Sequence, residues 1–247
     1  MTQLQGFFEK NFTLSPDYCG ASARMSPLAA FTMFQAIAAE HAERIGVGGA
    51  AMARRGAFWL TLHSRVDFFR WPALAQEVTA ATWPEHCEGR SLRCFRSYSL
   101  RQGDQLLALG RTQWAVLGEK GRLIPFAQSG FPEDFPFVER EGITEAPARF
   151  RDDLLPEELV QRHTVRSTDI DMGRHMNNVA YVRLDGCPAS VLAGGEIASM
   201  EIHYAAPCFE GEELSVLCRR EGSICRMAVR KPDGKTAVLA AVRFHEK

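Results

Sequence analysis

The feature that most constrains this chain is a faint repeat. Laid over itself with an offset of 151, FTLSPDYCGASARMSPLAAF, starting at Phe12, meets HTVRSTDIDMGRHMNNVAYV, starting at His163. Thr13 meets Thr164, Met25 meets Met176 and Leu28 meets Val179. Identity is low, but both stretches run from a strand-like segment through a polar turn into a helical one. A fixed offset with a shared pattern predicts one supersecondary unit used twice. The 247 residues are enough for two domains of ordinary size.

In the first copy, residues 5–14 are strand-like. Ser26 suits an N-cap and Pro27 a first helical position, and Leu28, Phe31, Phe34, Ala38 and Ala42 recur at helical spacing. Gly46, Gly48 and Gly49 end that helix. Strand-like runs follow at 57–69, 76–87, 91–102 and 105–117, with turns at Gln102-Gly103-Asp104 and Glu119-Lys120-Gly121. Leu92, Cys94, Arg96, Tyr98 and Leu100 alternate as on a strand with one buried face. The second copy predicts a strand from Leu159, a helix over 177–192 and strands at 196–206, 212–220, 224–232 and 236–245. Residues 125–157 hold five of the twelve prolines and no clear period, so they read as a linker. The expected fold is α+β, with domains at 1–124 and 158–247. In each, a long helix packs on a curved antiparallel sheet.

Composition narrows the function. The net charge is −1 and no dense Lys/Arg block occurs, so nucleic acid is not an expected partner. Arg54, Arg55, Arg65, Arg70, Arg90, Arg93 and Arg96 are read as mostly solvated, with a subset able to steer an acidic partner. The seven cysteines form no CxxC pair, and His41, His63, His86, His163, His203 and His245 lack metal-ligand spacing. Neither a metal nor another cofactor is expected. The start lacks a signal-peptide pattern, and no apolar run reaches the ~18 residues of a membrane span. Cytoplasmic placement and no stable membrane insertion are the expectations.

The two copies differ in one respect that bears on chemistry. Between Asp169 and Asn178 the second copy reads DIDMGRHMNN, with Asp171 over Gly20 and His175 over Arg24. Helix capping explains Asn177 and Asn178, and an acid near a helix start suits the dipole. Capping does not call for an acid and a histidine four residues apart. At a strand-to-helix junction, backbone N–H groups can stabilise an oxyanion, a histidine can move protons, and a carboxylate can orient the imidazole or activate water. That set suits acyl transfer or hydrolysis.

The stretch resembles the acyl-acyl-carrier-protein thioesterases, whose hallmark has the form D-x-D-x-N-x-H-x-N-N-V-x-Y. Seven of its eight defined positions match, from Asp169 to Tyr181. SPLAAFTMFQAIAAEHAERIGVG, FWLTLHSRVDFFRWPALAQEVTAATWP, GRTQWAVLGEKGRLIPF and GGEIASMEIHYAAPCFEGEEL resemble further family segments. The resemblance implies two tandem hotdog domains forming a pseudo-dimer within one chain, the first binding acyl chain or carrier and the second catalytic. It implies release of free fatty acid from acyl-acyl-carrier protein, with that carrier as partner. The absence of a transit peptide points to a bacterial type. Asp171 and His175 fall on the acid and base positions, and Cys208 on a cysteine once assigned as nucleophile. Gly173, Met176, Asn177 and Asn178 supply the backbone around the expected oxyanion position. Trp59, Trp83, Trp114, Phe31, Met33 and Phe34 are read as core, and the resemblance places some of them along an acyl tunnel. Two positions depart from the pattern: Gly173 stands for the family's asparagine and Pro207 for its glutamate. An acyl-CoA thioesterase and an acyl- or carrier-binding protein without turnover are the rival readings. Homodimerisation is left open.

Overall fold

Ser26 starts the first long helix as its sequence requires. Its Oγ accepts from Ala29 N–H, Pro27 takes the first helical position, and Gly46 ends the helix at φ 85°. The computed structural model describes residues 5–184 and 196–245. These form two compact units, Met1–Glu145 and Ala146–Lys247.

In the first unit, helix α1 (Pro27–Ile45) buries Ala30, Met33, Phe34, Ile37 and His41 against an antiparallel sheet. The strands are β1 (Phe8–Thr13), β2 (Phe58–Phe68), β3 (Glu77–Pro84), β4 (Cys94–Gln102) and β5 (Gln105–Leu117). Their order is β1-β3-β4-β5-β2, and the short β6 (Leu123–Ile124) pairs with β5. The turn between β4 and β5 holds Gly103 at φ 56°, a conformation that favours glycine. A short helix α2 (Gly49–Arg54) follows α1 where the glycines announced only an ending. Six residues are too few to show a period.

In the second unit the strands are β7 (Leu159–Thr164), β8 (Ile197–Tyr204), β9 (Glu213–Glu221), β10 (Ile224–Arg230) and β11 (Thr236–Phe244), in the order β8-β11-β10-β9-β7. Helix α3 begins at Asn178 and is described to Leu184. The rest of the helix expected to 192, and Cys187 with it, lies outside the described residues. Tyr181 of α3 meets Tyr204 of β8 edge to face.

The repeat extends to the backbone hydrogen bonds. Strand β1 and β7, the 3-10 turns Pro16–Tyr18 and Ser167–Asp169, and the starts of α1 and α3 are each 151 residues apart. Beyond the helices the offset is 136: Thr13 pairs with Glu77, and Thr164 with Glu213. Ala75 N–H donates to Leu14 O, and Gly211 N–H to Val165 O, at φ 65° and 84° respectively.

The stretch 125–157 carries apolar anchors that follow no helix or strand period. Phe135 packs with Ile45, Val47 and Val116 of the first unit, with Phe131 and Phe137 beside it. Leu154 and Phe150 pack on Leu217, Ala228 and Leu239 of the second. Arg96 is not a solvated surface charge. It is 9% exposed, facing α1 as the strand alternation places it.

Candidate active site

The polar turn of the second unit is closed by its backbone. Arg174 N–H donates to Asp171 O at 2.9 Å and Asp171 N–H to His175 O at 3.1 Å. Ile170 bridges Met176 across the base. Arg174 takes φ 61°, uncommon for a residue with a Cβ. This loop brings the Asp171 and His175 side chains together: Nδ1 of His175 stands 4.0 Å from Oδ1 of Asp171, with the side chains 39% and 28% exposed. That is ion-pair range, and longer than a hydrogen bond.

The first unit builds the same loop. Ala23 N–H donates to Gly20 O and Gly20 N–H to Arg24 O, both at 2.9 Å, Cys19 bridges Met25, and Ala23 takes φ 55°. The side chains differ, and so does one edge of the backbone, where Leu74 N–H donates to Ala23 O and Arg24 bridges Ala73 in the first unit alone among the described residues. Arg24 donates to Trp71 O at 2.7 Å. The matching carbonyl in the second unit, Pro207 O, is taken by Lys231 Nζ at 2.7 Å. His175, in Arg24's place, is not tied to it. Its Nδ1 has a long 3.4 Å contact to Met176 O, and no described residue bonds its Nε2.

Gly173 lies against both groups. Its N–H donates to Asp171 Oδ1 at 2.8 Å. A Cβ added there would lie 2.9 Å from His175 Nε2 and 3.0 Å from Asp171 Oδ1. Glycine therefore keeps side-chain atoms away from the two polar tips.

The expected oxyanion donors are engaged within the unit. Met176 N–H donates to Cys208 O and Asn177 N–H to Asp169 O, both at 2.8 Å. Asn177 caps α3 through Oδ1, which accepts from Val179 N–H at 2.8 Å. Asn178 is the first residue of α3. Cys208 is brought to the turn by its backbone, while its side chain is fully buried. Burial pushes its thiol pKa up, and the Tyr181 hydroxyl is its hydrogen-bond partner.

Asp169 and His163 form a pair that reasoning on the turn alone missed. Asp169, 8% exposed, accepts from Arg166 N–H and meets His163 Nε2, both at 2.9 Å. Burial acts to raise its pKa, but the Arg166 N–H and His163 outweigh this and hold it below the ordinary value. The repeat carried the signal, since Phe12 and Tyr18 occupy these positions in the first unit.

Two cavities of the second unit, 430 and 420 Å³, are lined by other residues, including Phe150, Leu154 and Arg226 in one and Leu159, Ser215 and Arg230 in the other. Among the described residues no three His, Cys, Asp or Glu side chains are grouped to hold a metal ion. No described helix is long and apolar enough to cross a membrane.

Two family models match the chain. Residues 5–130 match the acyl-ACP thioesterase N-terminal domain and residues 154–246 the C-terminal domain. A palmitoyl-acyl carrier protein thioesterase of Gossypium hirsutum is 22% identical over 97% of this chain. The chain spans 64% of that relative's length. An acyl-ACP thioesterase from Bacteroides thetaiotaomicron superposes with a TM-score of 0.85 at 21% identity, covering 97% of this chain and 98% of that one. The 12:0-ACP thioesterase from Umbellularia californica superposes at 0.83 with 19% identity over the whole of both chains. These likenesses fix the fold as two tandem hotdog domains.

Proposed function

The chain belongs to the acyl-acyl-carrier-protein thioesterase family, and from that premise we propose that it hydrolyses acyl-acyl-carrier protein to free fatty acid and carrier thiol. One observation carries the reading beyond likeness. A single backbone loop occurs twice, and the acid–imidazole pair stands only in the second copy.

In this reading His175 Nε2 takes a proton from a water as its oxygen attacks the thioester carbonyl carbon. The tetrahedral intermediate collapses with cleavage of the C–S bond, and the leaving sulfur receives the proton from the imidazolium. Asp171 stabilises that imidazolium, its approach tightening from 4.0 Å when substrate is bound. Gly173 leaves the attacking oxygen room beside Nε2. Cys208 serves packing: a buried thiol with a raised pKa and a tyrosine partner is a poor source of thiolate.

The relatives are named for carrier-protein substrates, which favours these over acyl-CoA. The free cysteines suit the cytoplasm. Release of free thiol from acyl-acyl-carrier protein and from acyl-CoA, measured side by side, tests both the activity and the carrier.

A further inference from the structure

In the first unit a cation on the loop holds the connection that lies beside it. Arg24 donates to Trp71 O at 2.7 Å, and the next carbonyl, Pro72 O, accepts from Met25 N–H at 2.8 Å. The second unit repeats the backbone half of this arrangement, with Cys208 O accepting from Met176 N–H at 2.8 Å. The side-chain half does not come from its loop, because His175 stands in Arg24's place and its Nδ1 faces Met176 O instead.

Lys231 supplies that cation from another element. It directly follows β10, and the β10–β11 turn fixes its backbone: its N–H donates to Lys235 O at 2.9 Å and its carbonyl accepts from Gly234 N–H at 3.0 Å. Strand register gives its counterpart in the first unit. Arg230 pairs with Ser215 as Arg101 pairs with Thr79, so Lys231 stands where the first unit has Gln102. The cation is on the loop in one unit and at a strand end in the other.

The ammonium has three partners. Nζ donates to Pro207 O at 2.7 Å, pairs with Glu212 Oε1 at 3.1 Å and stands 5.2 Å from the ring centre of Phe209. Glu212 closes the circuit, since its Oε2 accepts from Phe209 N–H at 3.0 Å. The lysine side chain is only 13% exposed, so solvent screens these charge-assisted contacts little. They tie residues 207–212 into one clamp.

Little else holds this connection to the catalytic turn. In the first unit Leu74 N–H donates to Ala23 O and Ala73 bridges Arg24, beside the bond from Met25 N–H. In the second unit, among the described residues, Met176 N–H to Cys208 O is the one backbone bond between the connection and residues 170–176. It joins the residue after His175 to the residue after Pro207. The described hydrogen-bond and ion-pair partners of Lys231 include neither Asp171 nor His175, so it acts through the backbone.

We propose that Lys231 is a positioning residue for the hydrolysis. It fixes the Pro207–Cys208 carbonyls, these fix Met176, and Met176 sets the imidazole of His175. The site needs an imidazole free of the Pro207 carbonyl and a loop still held to that connection, and a cation at the end of β10 allows both. The catalytic role rests on the thioesterase reading. The clamp does not.

Two measurements on the full chain separate these. Lys231→Gln places the first unit's residue at the strand end, and Lys231→Arg keeps a cation there. Hydrogen exchange of the Met176 amide reads the clamp without substrate. It is expected to quicken at least about fivefold in Lys231→Gln and to stay near native in Lys231→Arg. Equal exchange in Lys231→Gln and the native protein overturns the clamp whatever the enzyme does. Hydrolysis of acyl-acyl-carrier protein, assayed well below the melting temperature, reads the positioning. Lys231→Gln is expected to lower kcat about tenfold or more with KM within about threefold, and Lys231→Arg to recover most of the loss. Native kcat in Lys231→Gln, whether or not KM rises, or an equal loss in Lys231→Arg, overturns the positioning role. No thiol release by the native chain overturns the thioesterase reading, and the exchange alone then decides the clamp. Should Lys231→Gln fail to fold, Glu212→Gln removes the lysine's ion pair, keeps an acceptor for Phe209 N–H and carries the same comparison.

Discussion

His163 Nε2 and Asp169 Oδ2 lie 2.9 Å apart, at the two positions where the first unit sets Phe12 and Tyr18 edge to face. A ring contact in one copy is a partly buried, charge-assisted hydrogen bond in the other. Asp169 also takes Asn177 N–H through its backbone carbonyl, so the pair anchors the start of α3 beside the candidate site. Asp169→Ala is expected to lower stability by about 1–3 kcal/mol near pH 7. The folded pKa of Asp169 is lowered. Its contribution is therefore present above the unfolded value of about 4 and is lost as pH falls through the folded one. Thermal melts between pH 3 and 7 should show a shallower acid decline in the variant than in the native protein. An identical decline would contradict this account of Asp169.

Cys208 gives the second prediction. Its side chain is fully buried and its thiol pKa is raised. Cys208→Ala should keep kcat within a few-fold while lowering stability by about 1 kcal/mol. Loss of activity by about 100-fold or more in a variant that melts like the native protein would return the nucleophile to Cys208.

At Gly173 a methyl group would stand 2.9 Å from His175 Nε2 and 3.0 Å from Asp171 Oδ1. The imidazole is partly exposed, so it can swing aside without unfolding the loop. Gly173→Ala should thus cost activity and not stability, with kcat down about tenfold or more from misplacement alone. Unchanged kcat would show that the room beside the imidazole is not used.

The backbone was legible where local sequence decides it. Ser26 and Gly46 mark the ends of α1, and an offset of 151 carries β1, the 3-10 turn and the helix start onto their second copies. Strand β5 runs from Gln105 to Leu117, as the turn signals on either side predict. Arg96 shows two signals in conflict: alternation placed it inside, charge placed it outside, and alternation held. Phe131, Phe135 and Phe137 were unreadable as core because they pack from irregular chain. In the site, Asp171 and His175 stood out because they are close in sequence and absent from the first copy. His163 and Asp169 meet only once strand β7 runs into its turn, and the overlay on Phe12 and Tyr18 was their trace in the sequence.

The acid–imidazole pair on the second copy of the loop is proposed to perform thioester hydrolysis. Its most direct test is the single-turnover rate of thiol release from acyl-acyl-carrier protein by the native chain, by His175→Ala and by Asp171→Asn, with melting temperatures measured alongside. Release by the native chain is expected, with rates about 100-fold lower or more in both variants and melting temperatures close to native because both side chains are partly exposed. Equal rates in all three, or acyl binding without any thiol release by the native chain, would contradict it.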